Sequence, residues 1–171
     1  MDEKHAVFTA RLLLMPTTAA WLALLAQDRA AALRQFDAVP PDWPSADLLM
    51  VMDGARETMR RFPEMHGWGV WLILRRADRV FVGDIGFFGP PDENEQVEIG
   101  LQIAPAHRRQ GYAREAVAAL IDWAFARRAQ VIVARTEHDN EISPRLFDRL
   151  GFEQVGRDEA TAHWRLSSPH C

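Results

Sequence analysis

One cysteine stands among 171 residues, and it is the last of them, Cys171. A lone thiol excludes an internal disulfide, and a chain terminus is a poor seat for a catalytic nucleophile. The six histidines are scattered. No Cys/His cluster has the spacing of a metal site, so no metal is expected. No apolar run reaches the roughly 18 residues of a spanning helix, and residues 1–10 carry no signal-peptide pattern. The expectation is a cytoplasmic chain with no membrane partner. Excess positive charge is lacking as well. A formal net charge of −4 is not the balance of a nucleic-acid-binding surface. There are no repeats, low-complexity tracts or linker-like stretches. Neither G-x-G-x-x-G nor a Walker pattern occurs, which counts against an unrelated nucleotide-binding α/β protein.

What is present suits one soluble domain over residues 1–171. The apolar fraction is 48% and the charged fraction 26%, enough for an independent core. Val7–Met15 reads as a strand stopped by Pro16, with Thr17 or Thr18 capping a helix from Trp21 to Phe36. Three prolines between Val39 and Pro44 break the chain. Ser45 then caps a second helix carrying Leu48, Met52, Ala55, Met59 and Phe62 at helical spacing. Gly69–Arg75 and Arg79–Phe88 are strands around a short turn, apolar on both faces as in a sheet covered on both sides. Val131–Thr136 is a β-branched buried strand, Ile142–Leu150 a short helix, and Phe152–Val155 with Ala162–Leu166 a final antiparallel pair. The order is a mixed sheet with helices on both faces, in the α/β-to-α+β range.

Val97–Arg128 organises the rest. Val97, Ile99, Leu101 and Ile103 alternate with Glu98, Gly100 and Gln102, the period of a strand with one apolar face. Arg108-Arg109-Gln110-Gly111-Tyr112-Ala113 follows. Then Ala116, Val117, Leu120, Ile121, Ala124 and Phe125 recur at helical spacing. A helix opening at a glycine suits an anion. Its first N–H groups lack internal partners, and its dipole is positive there. Gly111 lets a guest approach the backbone, and two guanidinium groups match phosphate oxygens. A diphosphate fits.

Arg108, Gly111 and Ala113 resemble the acyl-CoA-binding signature of the GNAT N-acetyltransferases: Arg or Gln, two residues, Gly, one residue, Gly or Ala. Glu98-Ile99-Gly100 and Glu115-Ala116 resemble that family too. Asn140, Ser143 and Leu150-Gly151-Phe152 resemble its second signature, and Ala10-Arg11-Leu12-Leu13-Leu14 the first strand of the RimJ/RimL branch. The likeness covers Val70–Leu166, extends more weakly over Val7–Thr18, and is missing over Ala19–Trp68. It implies a GNAT-like, mostly antiparallel sheet with a splayed central strand pair, one strand holding Glu98 and the other Val133. It also implies transfer of acetyl from acetyl-CoA to a primary amine by direct attack in a ternary complex. The acceptor is a protein N-terminus or a small amine, and the protein a monomer or homodimer. The alternative is a non-catalytic acyl-CoA-binding or sensing module.

On this resemblance the diphosphate falls to Arg108, Arg109, Gln110, Gly111, Tyr112, Ala113 and Arg114, largely through backbone N–H groups. The thioester oxygen needs a positioned donor, a backbone N–H near Gln102 or Ile103. Glu98 is the first candidate base, with Glu137, His138 and Asp84 behind it. Asn140 and Ser143 line the cofactor site or cap the short helix, and Phe147 is expected to contact the cofactor as well. Many GNAT enzymes carry a tyrosine acid where this chain has Phe147, which has no proton to give, so Ser143 or water must serve the leaving thiolate. The segment 19–68, rich in Met and Trp, is a candidate acceptor wall. Trp43 and Trp68 are its first test residues, with core packing as the competing reading.

Overall fold

The structure is a computed structural model describing residues 3–140 and 142–169. Cys171 lies outside the described residues. The described strands form one sheet of eight in the order β1-β2-β3-β4-β5-β6-β8-β7. They are β1 Val7–Phe8, β2 Leu12–Pro16, β3 Val70–Arg75, β4 Phe81–Phe87, β5 Gln96–Ile103, β6 Val131–Glu137, β7 Glu153–Arg157 and β8 Thr161–Ser167. Only β5 and β6, among the described pairs, run parallel. The helices are α1 Ala19–Gln27, α2 Arg29–Leu33, α3 Ala46–Arg61, α4 Tyr112–Phe125 and α5 Ser143–Arg149.

Alternation along the strands divides the core between two faces. Leu12, Leu14, Trp71, Ile73, Val97 and Ile99 pack with Ala116, Val117 and Leu120 of α4. Leu13, Met15, Leu72 and Leu74 pack with Trp21, Leu22, Met52 and Met59 on the α1–α3 side. The expected two-sided sheet is therefore present.

Two expected elements are broken. The first strand is a short hairpin, because Thr9–Arg11 leave the sheet and turn toward Glu115. Thr9 Oγ1 donates to the Glu115 carboxylate at 2.6 Å, and the Arg11 backbone N–H does so at 2.8 Å. The first helix is interrupted at Asp28, whose side chain accepts from the N–H of Ala31 and starts α2. Leu22, Leu25, Ala32 and Leu33 still face one core, so the apolar rhythm ran across the break. Thr18 and Ser45 cap α1 and α3.

The central pair diverges. β5 and β6 are paired only at Gln96–Val131, Val97–Ile132 and Glu98–Val133. Past Glu98, β5 stays paired to β4 as far as Ile103. β6 stays paired to β8 as far as Glu137. Each strand is held from its outer side, so a gap opens between them. The glycine turn at the start of α4 follows from the far end of β5.

Candidate active site

Hydrogen-bond parity decides which groups of β5 face the gap. The N–H of Phe88 donates to the carbonyl of Glu98, and that of Ala104 to Val82, at 3.1 and 2.9 Å. In a regular antiparallel ladder such pairs recur every second residue. The backbones of Gly100 and Gln102 are therefore turned to β4, while Ile99, Leu101 and Ile103 turn theirs to the open edge. The carbonyl of Ile103 accepts from Arg108 Nε at 3.0 Å, on that edge. The expected oxyanion donor is thus corrected at Gln102, whose N–H belongs to the β4 ladder. Ile103 retains the geometry, and Leu101 shares it. Strand alternation alone could not supply this, because it fixes side-chain faces and not which edge loses its partner.

The turn before α4 bends sharply. Arg109 and Gly111 have φ of +60° and +82°. Gly111 is the N-cap, with no side-chain cap on the helix. Left-handed residues alternating with right-handed ones turn successive N–H groups into an anion-binding concavity, and a glycine suits the second position. Arg108, Arg109, Gln110 and Arg114 are exposed. Gln110 Nε2 donates to the Ala106 carbonyl at 3.3 Å, which holds the turn to the segment before it. Tyr112 and Ala113 contribute backbone, and the Tyr112 ring is buried in the core.

Arg11 ties this turn to the first hairpin, a contact the sequence did not announce. Its Nε donates to Glu115 Oε2 at 2.7 Å and its Nη1 to the Gln110 carbonyl at 2.9 Å. Its guanidinium lies 4.7 Å from the centre of the Tyr112 ring. Partial burial alone would raise the Glu115 pKa, but hydrogen bonds from Thr9 and from the backbone and side chain of Arg11 outweigh it and lower the value. Glu115 therefore enters the helix start as a carboxylate already balanced by Arg11.

On the α1–α3 face of β5 stand Glu98, Gly100 and Gln102. Glu98 binds Arg135 in a fork, with Nε to Oε1 at 2.9 Å and Nη2 to Oε2 at 2.8 Å. Arg135 lies two residues beyond the last β5–β6 pair, so this ion pair spans the gap where the strands part. Asp84, also on this face, is 7% exposed. Its Oδ2 accepts from Trp43 Nε1 at 2.7 Å. Burial raises its pKa to about 6, against the lowering effect of the Trp43 bond. His138 is turned elsewhere. Its backbone N–H donates to Ala160, and its ring Nε2 contacts the Asp158 carbonyl at 2.9 Å, so it belongs to the β7–β8 hairpin. Glu137 is exposed at the end of β6.

Asn140 and Ser143 come together past β6. Asn140 Oδ1 accepts from the N–H groups of Ile142 and Ser143, and its Nδ2 donates to Ser143 Oγ at 2.9 Å. Asn140 holds the turn that leads into α5, whose N-cap position is Ile142, and the Ser143 hydroxyl keeps its proton to give. Phe147 is 2% exposed and packs on Phe152 and Trp164. The expected cofactor contact at Phe147 is corrected: its ring belongs to the core. Trp43 is likewise core, its ring tilted against Phe81 with centroids 4.8 Å apart. Trp68 packs on Phe87 and Trp123 with part of its surface open.

The sequence profile of the Acetyltransferase (GNAT) domain matches residues 11–153. The chain is 36% identical over 124 residues to the N-acetyltransferase YjdG of Bacillus subtilis (strain 168), itself uncharacterized; the match covers 72% of this chain and 74% of YjdG. It is 36% identical over 87 residues to YoaA of the same organism, spanning 50% of this chain and 49% of YoaA. Among solved structures it resembles RimL, a ribosomal L7/L12 alpha-N-protein acetyltransferase in complex with coenzyme A. The TM-score is 0.68 at 17% identity, covering 95% of this chain and 98% of RimL. An acetyltransferase from Agrobacterium tumefaciens superposes with a TM-score of 0.65 at 23% identity, over 98% and 97% of the two chains.

Proposed function

The chain belongs to the GNAT acetyltransferase family and is an acyl-CoA-dependent N-acetyltransferase, and from that premise we propose how its residues carry the reaction. The co-substrate is acetyl-CoA, its diphosphate on the N–H groups of residues 109–114 and its pantetheine arm along the open edge of β5. The reading rests on one observation above all: the β5–β6 ladder stops at Glu98 and Val133 while the strand continues toward the glycine turn. That leaves unpaired strand edge and unpaired helix start on one path.

The amine nitrogen attacks the thioester carbonyl carbon, and the C–S bond breaks. The N–H of Leu101 or Ile103 donates to the oxygen as negative charge builds on it. Glu98 takes the amine proton, through a water. For that it must share or leave Arg135, which otherwise donates to both of its oxygens. The Ser143 hydroxyl, or water, returns a proton to the thiolate. The acceptor enters from the α1–α3 face, with residues 19–68 as its wall and the whole chain one domain. A ribosomal-protein N-terminus and a small free amine both fit this description.

The test is thiol release from acetyl-CoA with a panel of primary amines, on the wild type and on Gly111→Asp. The variant adds a side chain and a negative charge where the diphosphate must approach. Its acetyl-CoA KM should rise at least about tenfold, equivalent to ~1.4 kcal/mol. A folded Gly111→Asp protein with unchanged acetyl-CoA affinity contradicts the cofactor placement.

A further inference from the structure

A pocket of about 260 Å³ lies between α3 and the end of β4, walled by Met50, Gly54, Met59, Met65, Trp68 and Phe88 among others. Among the described residues no lining side chain is ionisable, and Thr58 supplies a hydroxyl. Two of its walls are large apolar side chains left open to solvent: Met50 at 70% and Phe88 at 62% exposure. Isolated exposed apolar residues are ordinary, but several around one concavity are informative.

Its position gives it chemistry. Phe88 is bonded through its backbone N–H to Glu98. Its ring lies against Gly100, where a Cβ would come within 3.0 Å of the ring carbon Cε2. Gly100 follows Glu98 on the same face of β5. Phe88 therefore joins the pocket to the segment of β5, and to the face of that strand, that carries the carboxylate assigned above to the amine proton. That carboxylate is already balanced by Arg135. Among the described residues a second cation on the acceptor would meet no ionisable pocket wall, and leaving water uncompensated is costly. The volume lies just below the roughly 300–1,000 Å³ typical of small-molecule sites, a size for one side group.

We propose that this pocket is the acceptor subsite, and that the acceptor is a primary amine carrying an apolar or aromatic group close to the nitrogen, with no second cationic group. This rests on the reading of Glu98 and the β5–β6 gap given above. Soft thioether walls accommodate such groups without fixing one shape.

Gly54 provides the test. A Cβ there would meet nothing within 4 Å, and a helix-interior glycine replaced by a better helix former does not lose helix stability. Gly54→Glu therefore places charge at the pocket without forcing the fold. Acceptors are 2-phenylethylamine, a Phe-initiated peptide and spermidine, with acetyl-CoA as donor. In the wild type at least one apolar acceptor should exceed spermidine in kcat/KM by about tenfold or more, within the range that apolar pockets achieve. Gly54→Glu should remove about tenfold of kcat/KM for that acceptor, leaving acetyl-CoA KM and melting temperature in place. Met50→Glu, at an exposed wall, should act in the same direction. Preference for the peptide identifies a protein N-terminus, and preference for phenylethylamine a free amine; either upholds the subsite. Preference for spermidine, or equal losses for all three acceptors in both variants, overturns the subsite and leaves acetyl transfer standing. No thiol release with any amine overturns both.

Discussion

Replacing Arg11 with alanine should weaken acyl-CoA binding through a residue that need not touch the substrate. Arg11 holds Glu115 and the Gln110 carbonyl and lies beside Gly111, where an added Cβ would stand 3.3 Å from its Nη2. Glu115 is four residues past Gly111, about 6 Å along the helix axis. Without Arg11 its charge faces the diphosphate unbalanced. Over roughly 6–8 Å, at an effective dielectric constant between about 20 and 80, one unit charge against another amounts to ~0.5–3 kcal/mol. That is a loss of affinity of about twofold to a hundredfold. The Arg11 side chain is half exposed, so the loss of fold stability should be only about 1 kcal/mol. Calorimetric titration of CoA into Arg11→Ala, Glu115→Gln and the double variant, at low and high salt, separates the causes. The double variant should bind CoA more tightly than Arg11→Ala, and the Arg11→Ala deficit should shrink as salt screens the charge. A double variant as weak as Arg11→Ala, with no salt dependence, would refute the electrostatic reasoning and leave only turn geometry. The pH sense follows from the lowered Glu115 pKa: this stabilisation is present above the ordinary carboxylate range and is lost as pH falls through the folded value.

Glu98→Gln should lower the acetylation rate by about a hundredfold while CoA binding stays nearly unchanged; a variant retaining most of its rate across the pH range moves the proton to another acceptor. Asp84 should make the fold less stable as pH rises. Its folded pKa of about 6 exceeds the unfolded value, so the ionised form is disfavoured and stability declines between about pH 4 and 6. Asp84→Asn should flatten that decline and gain up to ~3 kcal/mol at pH 8 relative to pH 4, read from denaturant melts. An unchanged pH profile contradicts the assignment. Trp43→Ala should cost about 3–5 kcal/mol of stability and reduce turnover of unlike amines in parallel, since the ring is core. An acceptor-selective loss at full stability would return it to the substrate wall.

Much of this architecture was legible because period-2 and period-3.6 patterns report which face is buried. Val97 to Ile103 read as a strand and Ala113 to Phe125 as a helix, and both hold. The break at Asp28 was hidden because α1 and α2 bury the same face, so the rhythm did not change. The hairpin at Thr9–Arg11 was hidden because its cause, Glu115, is more than a hundred residues away. The glycine turn was visible from local chemistry, whereas the ion pair between Glu98 and Arg135 was not: it depends on two strands that part. Phe147 looked like a cleft residue by its place in a motif, yet its partners Phe152 and Trp164 come from β7 and β8 surroundings that no spacing reveals. The pocket beside Phe88 needed Gly100 to be seen beneath the ring, and an alternating pattern gives no sign of that contact.

Backbone hydrogen exchange with and without saturating CoA reads the cofactor path along β5 and the glycine turn residue by residue. The N–H groups of Leu101 and Ile103 face the gap between β5 and β6, and those of residues 109–114 form the turn opening α4. CoA should slow exchange at both sets by about tenfold or more, while Gly100 and Gln102, already committed to β4, change little. Protection confined to other parts of the sheet, or none at Leu101, Ile103 and the glycine turn, would contradict the account.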